Sequence, residues 1–543
     1  MNKFKTYDQN QTYLPLDLDS MISSNHLVRF INDTINKIDM TKAFACYPGG
    51  GTTSYNPVMM IKVLVYGVVT SVYSSRKLAE TLRRDIHFMW LSGMNYPDFR
   101  TLSNFRSGRL RAFLDDVFTQ VLLICEENGF INLDNYFVDG TFIEANANRF
   151  SHVWRKNTQR YKQQKLEKIQ QLLNQVELVE QQENQHYGEK DLAITGDGIK
   201  INSKEVAKSI SELNEKLNNF KPANPEDTKK VRKNKRILKQ INDDHLPKLV
   251  EYEAQEKILG DRNSYSKTDN DATFMRSKQD QLLAGYNVMA GTENQFIIGY
   301  SIHQNAGDVA NFISHMDSLA MKGFVPNNVI GDSAFGSLKN YEYIDKYGIG
   351  NYLKYGYFHR DLKGKQEPYF MLKDFKYNYD KDCYICKNNR ELKFVNTRSD
   401  QGVIIKSYKS ENCTACQYQT MCCKGTNERS LQVNEVLEMY KKEAYENLTS
   451  EIGIKLRKQR GVDVETIFGD LKQNLKLRRF LLRGVFKVRM EFGLYSLAHN
   501  LKKMHKKISN AISKTVFILS KTDIIQLKQL LLNKYLQNYA FCC

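Results

Sequence analysis

NYFVDGTFI, Asn135 to Ile143, is rich in aromatic and β-branched residues and reads as a strand with an aspartate, Asp139, in its middle. The β signal returns at LLAGYNVMAG (Leu282 to Gly291) and QFIIGYSI (Gln295 to Ile302), joined by GTEN, which suits a hairpin turn. A helix over GDVANFISHMDSLAMKG (Gly307 to Gly323), a short strand from Asn327, a helical piece at Tyr341 to Tyr347 and a strand at Gly350 to Lys354 follow. Antiparallel hairpins mixed with β-α-β crossovers predict an α/β fold: a mixed sheet with helices packed on it.

What precedes that strand is helical. SRKLAETLRRDIHFMWL (Ser75 to Leu91) spaces Leu78, Leu82, Ile86 and Met89 as one helix, and PDFRTLSNFRSGRL follows with Thr101 or Ser103 as N-cap. Arg100 and Arg106, with Arg83, Arg84 and Arg109, fit either a DNA-binding helical unit or a plain bundle with solvated arginines. After the strand, from about residue 155 to 259, aromatics thin out, and Leu166, Ile169, Leu173 and Val176 recur by threes and fours. Val206, Ile210, Leu213, Leu217 and Phe220 do the same. The spacing predicts a helical hairpin or short coiled coil, serving as a spacer, a dimer contact or, through KKVRKNKRILK (Lys229 to Lys239), a contact to phosphates.

Lys plus Arg number 79 against 61 for Asp plus Glu in 543 residues, a net charge of +18 that points to a polyanionic partner. The longest apolar run, Pro57 to Tyr73, contains Lys62 and falls short of a membrane span, and the first residues lack a signal-peptide core. A cytoplasmic protein is expected, in which ten cysteines, six of them between Cys383 and Cys423, point to metal rather than disulfides.

Three carboxylates stand out. Asp139 lies in the first strand, Asp332 ends a later one, and Glu465 lies in VDVETIFGDLKQNLKLRRF (Val462 to Phe480), which reads as one helix. On such a helix Lys472, Lys476 and Arg479 share the Glu465 face, while Val464, Ile467, Leu471 and Leu475 pack inward. Acids from two strands and a covering helix can converge on Mg²⁺, which prefers carboxylate and phosphate oxygens, and two such ions activate a phosphodiester. The basic residues beyond would then follow the DNA backbone.

VDGTFIEANANR (Val138 to Arg149), SKTDNDATFMR (Ser266 to Arg276), GYNV (Gly285 to Val288), VIGDSAFGS (Val329 to Ser337) and VETIFGDLKQNLKLRRFLLRG (Val464 to Gly484) resemble the motifs of DDE-type bacterial insertion-sequence transposases. The likeness extends to YNPVMMIKVLVYG and DFRTLSNFR near the start. It is to the branch with a helical insertion after the first Asp and a cysteine-rich insertion before the Glu. The resemblance implies a ribonuclease-H-like core at 129–155 and 262–356, a helical N-terminal DNA-binding domain at 1–128, insertions at 156–261 and 357–444, and a C-terminal part from 445. It implies Mg²⁺- or Mn²⁺-dependent cleavage at element ends and strand transfer, with Asp139, Asp332 and Glu465 as metal-binding triad and Lys472 as the lysine after the glutamate. It also implies terminal inverted repeats and target DNA as partners, a homodimer in the DNA complex, and a bacterial, nucleoid-associated location. Related groups carry an arginine with three residues before the Glu; here Gly461 takes that place and Arg460 stands one residue early. The competing expectation is an inactive or domesticated DNA-binding protein on the same scaffold. A third is a nuclease acting on RNA or hybrids.

Cys383-x2-Cys386, Cys413-x2-Cys416 and Cys422-Cys423 give six thiols for the four places of a structural Zn²⁺ site, or a set of reduced core cysteines. Resemblance to the same branch favours Cys386, Cys413, Cys416 and Cys422.

Overall fold

The computed structural model describes residues 17–47, 54–184, 202–220, 222, 225–277, 280–363, 370–400, 402–423 and 426–518. Cys542 and Cys543 lie outside them. At the centre is a six-stranded sheet built from β1 (Asn135–Glu144), β2 (Thr273–Arg276), β3 (Leu282–Glu293), β4 (Phe296–His303), β5 (Asn328–Gly331) and β6 (Gly350–Leu353). The long β3 pairs antiparallel with β1 along one edge, and with β2 and then β4 along the other. On the far side of β1, β5 and β6 add in parallel. Helices Asp308–Ala320 and Leu338–Lys346 supply the connections that parallel pairing requires. The sequence order of strands and helices is thus borne out; the short β2 is an addition within SKTDNDATFMR.

The apolar run near the start forms the helix Pro57–Val69, with proline in its first turn and the Asn56 side chain accepting the Val58 N–H at 2.8 Å. It is buried almost all round, and Lys62 is tolerated inside because Asn32 and Asn36 accept from its Nζ at 2.7 and 2.6 Å. No helix among the described residues is long and apolar enough to cross a membrane. The N-terminal helices share one continuous hydrophobic core with the sheet and with the long helix Val485–Ile518.

Two sequence expectations are corrected here. Ser75 to Leu91 is two helices, Ser75–Thr81 and Ile86–Leu91, because Asp85 accepts from the backbone N–H groups of His87 and Phe88 and starts the second. Asp98, rather than Thr101 or Ser103, caps the helix Phe99–Ser107, accepting the Thr101 N–H at 2.7 Å.

Helices Arg155–Asn184, Ser203–Asn219, Pro225–Gln240 and Leu246–Leu259 surround a separate small core that includes Ile169, Val176, Val206, Ile210 and Leu249. The heptad-like spacing therefore serves a small bundle rather than a two-stranded coiled coil. Between β6 and the C-terminal helices lies an antiparallel sheet of five strands: Lys376–Asn378, Cys383–Ile385, Glu391–Asp400, Val403–Ser410 and Ser430–Val433.

Candidate active site

Asp139 sits in the middle of β1, opposite Ala290 of β3, and is the most enclosed of the three acids, with 17% of its side chain exposed. Asp332 follows the last residue of β5, where its Oδ1 accepts the Ala334 N–H at 2.9 Å and shapes the turn. Glu465 comes from a helical segment that crosses β1 and β3 after the helix Glu451–Arg460. All three meet around one guanidinium. Arg460 Nη2 lies 3.1 Å from Asp139 Oδ2 and 3.9 Å from Asp332 Oδ2, and Nη1 lies 3.2 Å from Glu465 Oε1.

The reason that Arg460 reaches Glu465 is local. Gly461–Glu465 is a π turn, whose period brings residues i and i+5 together. The extra residue between arginine and glutamate, which looked like a misplacement in the sequence, is absorbed by that turn. Arg460 is therefore an internal counter-ion with only 9% of its side chain exposed, and in this state it is not a DNA contact.

Burial pushes the Asp139 carboxyl up to about 6; Arg460 pulls against this, while Asp332 adds to it. A fourth carboxylate, Asp308, adds a smaller push. Asp308 begins the helix after β4 and takes the Asn287 side-chain N–H at 2.5 Å. Gly140 makes room for it, since a Cβ there would lie 2.3 Å from Asp308 Oδ1.

The basic residues after Glu465 do not form the expected stripe. A second π turn, Asp470–Asn474, shifts the helical phase, and the helix ends there. Lys472 Nζ donates to Thr141 Oγ1 at 2.6 Å and to the Phe142 carbonyl at 2.9 Å, so it braces β1 two residues beyond Asp139. Lys476 adopts a left-handed φ of 52° past the helix end. Arg479 donates to the carbonyls of Ala145 and Ala147 at 3.1 and 2.8 Å and ties the following loop to the end of β1. The inward stripe is as expected: Val464, Ile467, Leu471 and Leu475 are buried.

Of the arginines near the N-terminus, Arg100 is exposed and lies beside the exposed Phe99 ring. Arg106 turns inward, donating to the Tyr73 carbonyl at 2.7 Å; burial lowers its pKa and the charge of the buried Glu491 opposes this. Glu491 in turn accepts the backbone N–H groups of Leu481 and Leu482 at 2.9 Å, anchoring the loop that follows Arg479. Glu491→Ala leaves those donors and Arg106 without their carboxylate, so a loss of about 3 kcal/mol in unfolding free energy is expected by denaturant titration. A change within error would show that this carboxylate does not hold the loop.

Lys354, Arg457 and Asp308 were not singled out from the sequence. No local signal marks them: it is the parallel pairing of β5 with β6 that stands a charge just after β6 beside Asp332.

Cys386, Cys413, Cys416, Cys422 and Cys423 line one small cavity under the five-stranded sheet. Cys383 is apart from them, buried in its strand opposite Lys393. Among the described residues, no three carboxylate, imidazole or thiol groups already stand at metal-binding spacing. At the acid site the donor chemistry nevertheless fits: hard carboxylate oxygens from three elements surround one position, and a guanidinium now supplies the positive charge there.

A family model described as a transposase DDE domain matches residues 385–505, the segment that contains Arg460 and Glu465. A second, described as a transposase domain (DUF772), matches residues 16–108. The two matches support an insertion-sequence DDE transposase. The chain matches no curated protein and no solved structure. The segment matched as a transposase DDE domain supplies Glu465 and Arg460, and the sheet outside the matched residues supplies Asp139 and Asp332.

Proposed function

We propose that this transposase binds the terminal inverted repeats of an insertion sequence, cuts the DNA strand there with Mg²⁺ or Mn²⁺, and transfers the freed end to target DNA. The observation behind this reading is the meeting of Asp139, Asp332 and Glu465 around a single positive charge. The strand order β4-β3-β1-β5-β6, antiparallel then parallel, supports a ribonuclease-H-like core. Asp139, Asp332 and Glu465 would hold the metal, which when bound polarises the scissile phosphate and activates the attacking oxygen. Asp139 fixes one ligand on a strand braced by Lys472, while Glu465, with 58% of its side chain exposed, is free to follow the substrate. Arg460 neutralises the acids until the metal and DNA arrive. We place the protein in the bacterial cytoplasm at the nucleoid, acting as a homodimer on double-stranded DNA.

The test is a metal-dependent nicking assay on duplexes bearing the repeats that flank the gene. Nicking with Mg²⁺ that is lost in Asp139→Ala, Asp332→Ala and Glu465→Ala supports the reading. Binding without nicking by the wild-type chain would leave the inactive-scaffold alternative.

We also propose that Cys386, Cys413, Cys416 and Cys422 hold a structural Zn²⁺ that pins the five-stranded sheet. Protein prepared without chelator should contain close to one zinc per chain, and chelation should lower the melting temperature. Metal-free protein with an unchanged melting curve would remove the zinc.

A further inference from the structure

The expected DNA-contacting side chains Lys472, Arg479 and Arg106 are engaged by the protein's own carbonyls, and Arg460 by the acids. A different pair of cations stands at the edge of the acid site. Gly331 of β5 pairs with Leu353 of β6, so the next residues, Asp332 and Lys354, emerge side by side. The Lys354 backbone N–H donates to the Gly331 carbonyl at 3.4 Å, which extends the pairing to that point. Lys354 is half-buried. Burial lowers its pKa, Arg460 and Arg457 lower it further, and Asp332 and Glu465 oppose them. It is therefore within electrostatic reach of two of the three acids and two arginines.

Arg457 lies one turn before Arg460 on the same helix, so both point from one face. Its guanidinium rests 5.3 Å from the centre of the Phe358 ring, and Phe358 is fully buried. The ring packs against the guanidinium, and the buried Nε–H finds no acceptor among the described residues. A guanidinium packed on a ring beside the acid site suits a phosphate, which offers paired oxygens to its N–H groups. His359, next to Phe358, has a pKa that burial lowers and that Lys354, Arg457 and Lys363 lower further, which places these three cations near one another.

We propose that Lys354 and Arg457 form a cradle for a DNA backbone phosphate on the Asp332 side of the acid site. This rests on the transposase reading above and specifies where the substrate strand leaves the acids. The phosphate takes the Arg457 guanidinium N–H groups, relieves the repulsion among Lys354, Arg457 and Arg460, and holds the strand against Asp332.

The experiment is anisotropy of a labelled duplex carrying the terminal repeat, in EDTA so that nothing is cut, across a series of salt concentrations. The wild type, Lys354→Gln, Arg457→Gln and the double variant are compared. Each single change is expected to weaken binding about 5- to 10-fold and to lower the slope of log affinity against log salt by about one. The double variant should lose about two. Lys354→Arg and Arg457→Lys should recover most of the affinity, which separates charge from folding. Unchanged affinity and slope in the double variant would overturn the cradle while leaving the transposase reading intact. Charge-conserving variants that melt normally yet bind as poorly as the glutamine variants would also overturn it. A wild-type chain that binds no duplex would remove both.

Discussion

Asp332→Asn is expected to bind terminal-repeat duplexes within about twofold of the wild type and to slow metal-dependent strand cleavage by roughly 10³-fold or more. The asparagine keeps the one structural duty of this residue, since its Oδ1 can still accept the Ala334 N–H that closes the turn after β5. With 37% of its side chain exposed, Asp332 is also no core residue whose loss should unfold the sheet. What the substitution removes is a negative charge beside Asp139 and Glu465. Two-metal chemistry depends on such charge, because the carboxylates hold the cations that stabilise the attacking and leaving oxygens. Gel-based nicking with Mg²⁺ and anisotropy in EDTA give the two readouts separately. A variant that loses binding and cleavage together would make Asp332 a folding residue, and the catalytic assignment of the triad would fail with it.

Arg460→Ala should act in the opposite direction on the metal. In the wild type a cation entering among Asp139, Asp332 and Glu465 must displace a guanidinium already paired at 3.1 and 3.2 Å. Without it, the metal-free chain keeps several acids close together with only Lys354 at their edge to balance them, and a destabilisation of about 3 kcal/mol is expected. The pair with Asp139 dominates, since Glu465 is largely solvated. The same change should tighten Mn²⁺ binding by about tenfold or more in calorimetric titration without DNA, because no cation has to leave. Added Mn²⁺ should then restore most of the lost melting temperature. Arg460→Lys should fall between the two. Weaker Mn²⁺ binding in Arg460→Ala would mean that the arginine helps to form the metal site rather than compete for it, and the displacement picture would be abandoned.

Elements of this site differ in how far their own residues announced them. Asn135 to Ile143 reads as a strand because alternation and β-branching act within a few residues, and it is β1. The same locality made the β3–β4 hairpin legible. The stretch after Glu465 was misread for a reason that is equally physical. A helical wheel assumes an unbroken 3.6-residue period, whereas two π turns and an early end rotate Lys472 toward Thr141 and release Lys476 and Arg479 from the helix.

By itself the sequence determined the order of the main strands and helices of the central sheet and which acids and cysteines are available, since these depend on side chains a few positions apart. Only the tertiary structure decided that Arg460 stands among the acids, that Lys354 emerges beside Asp332 and that Cys383 is apart from the other five clustered cysteines. Those facts depend on the pairing of distant strands and on a one-residue change of helical period. Neither leaves a periodic trace in the chain, because the energy that selects them comes from packing and charge balance between segments far apart in sequence.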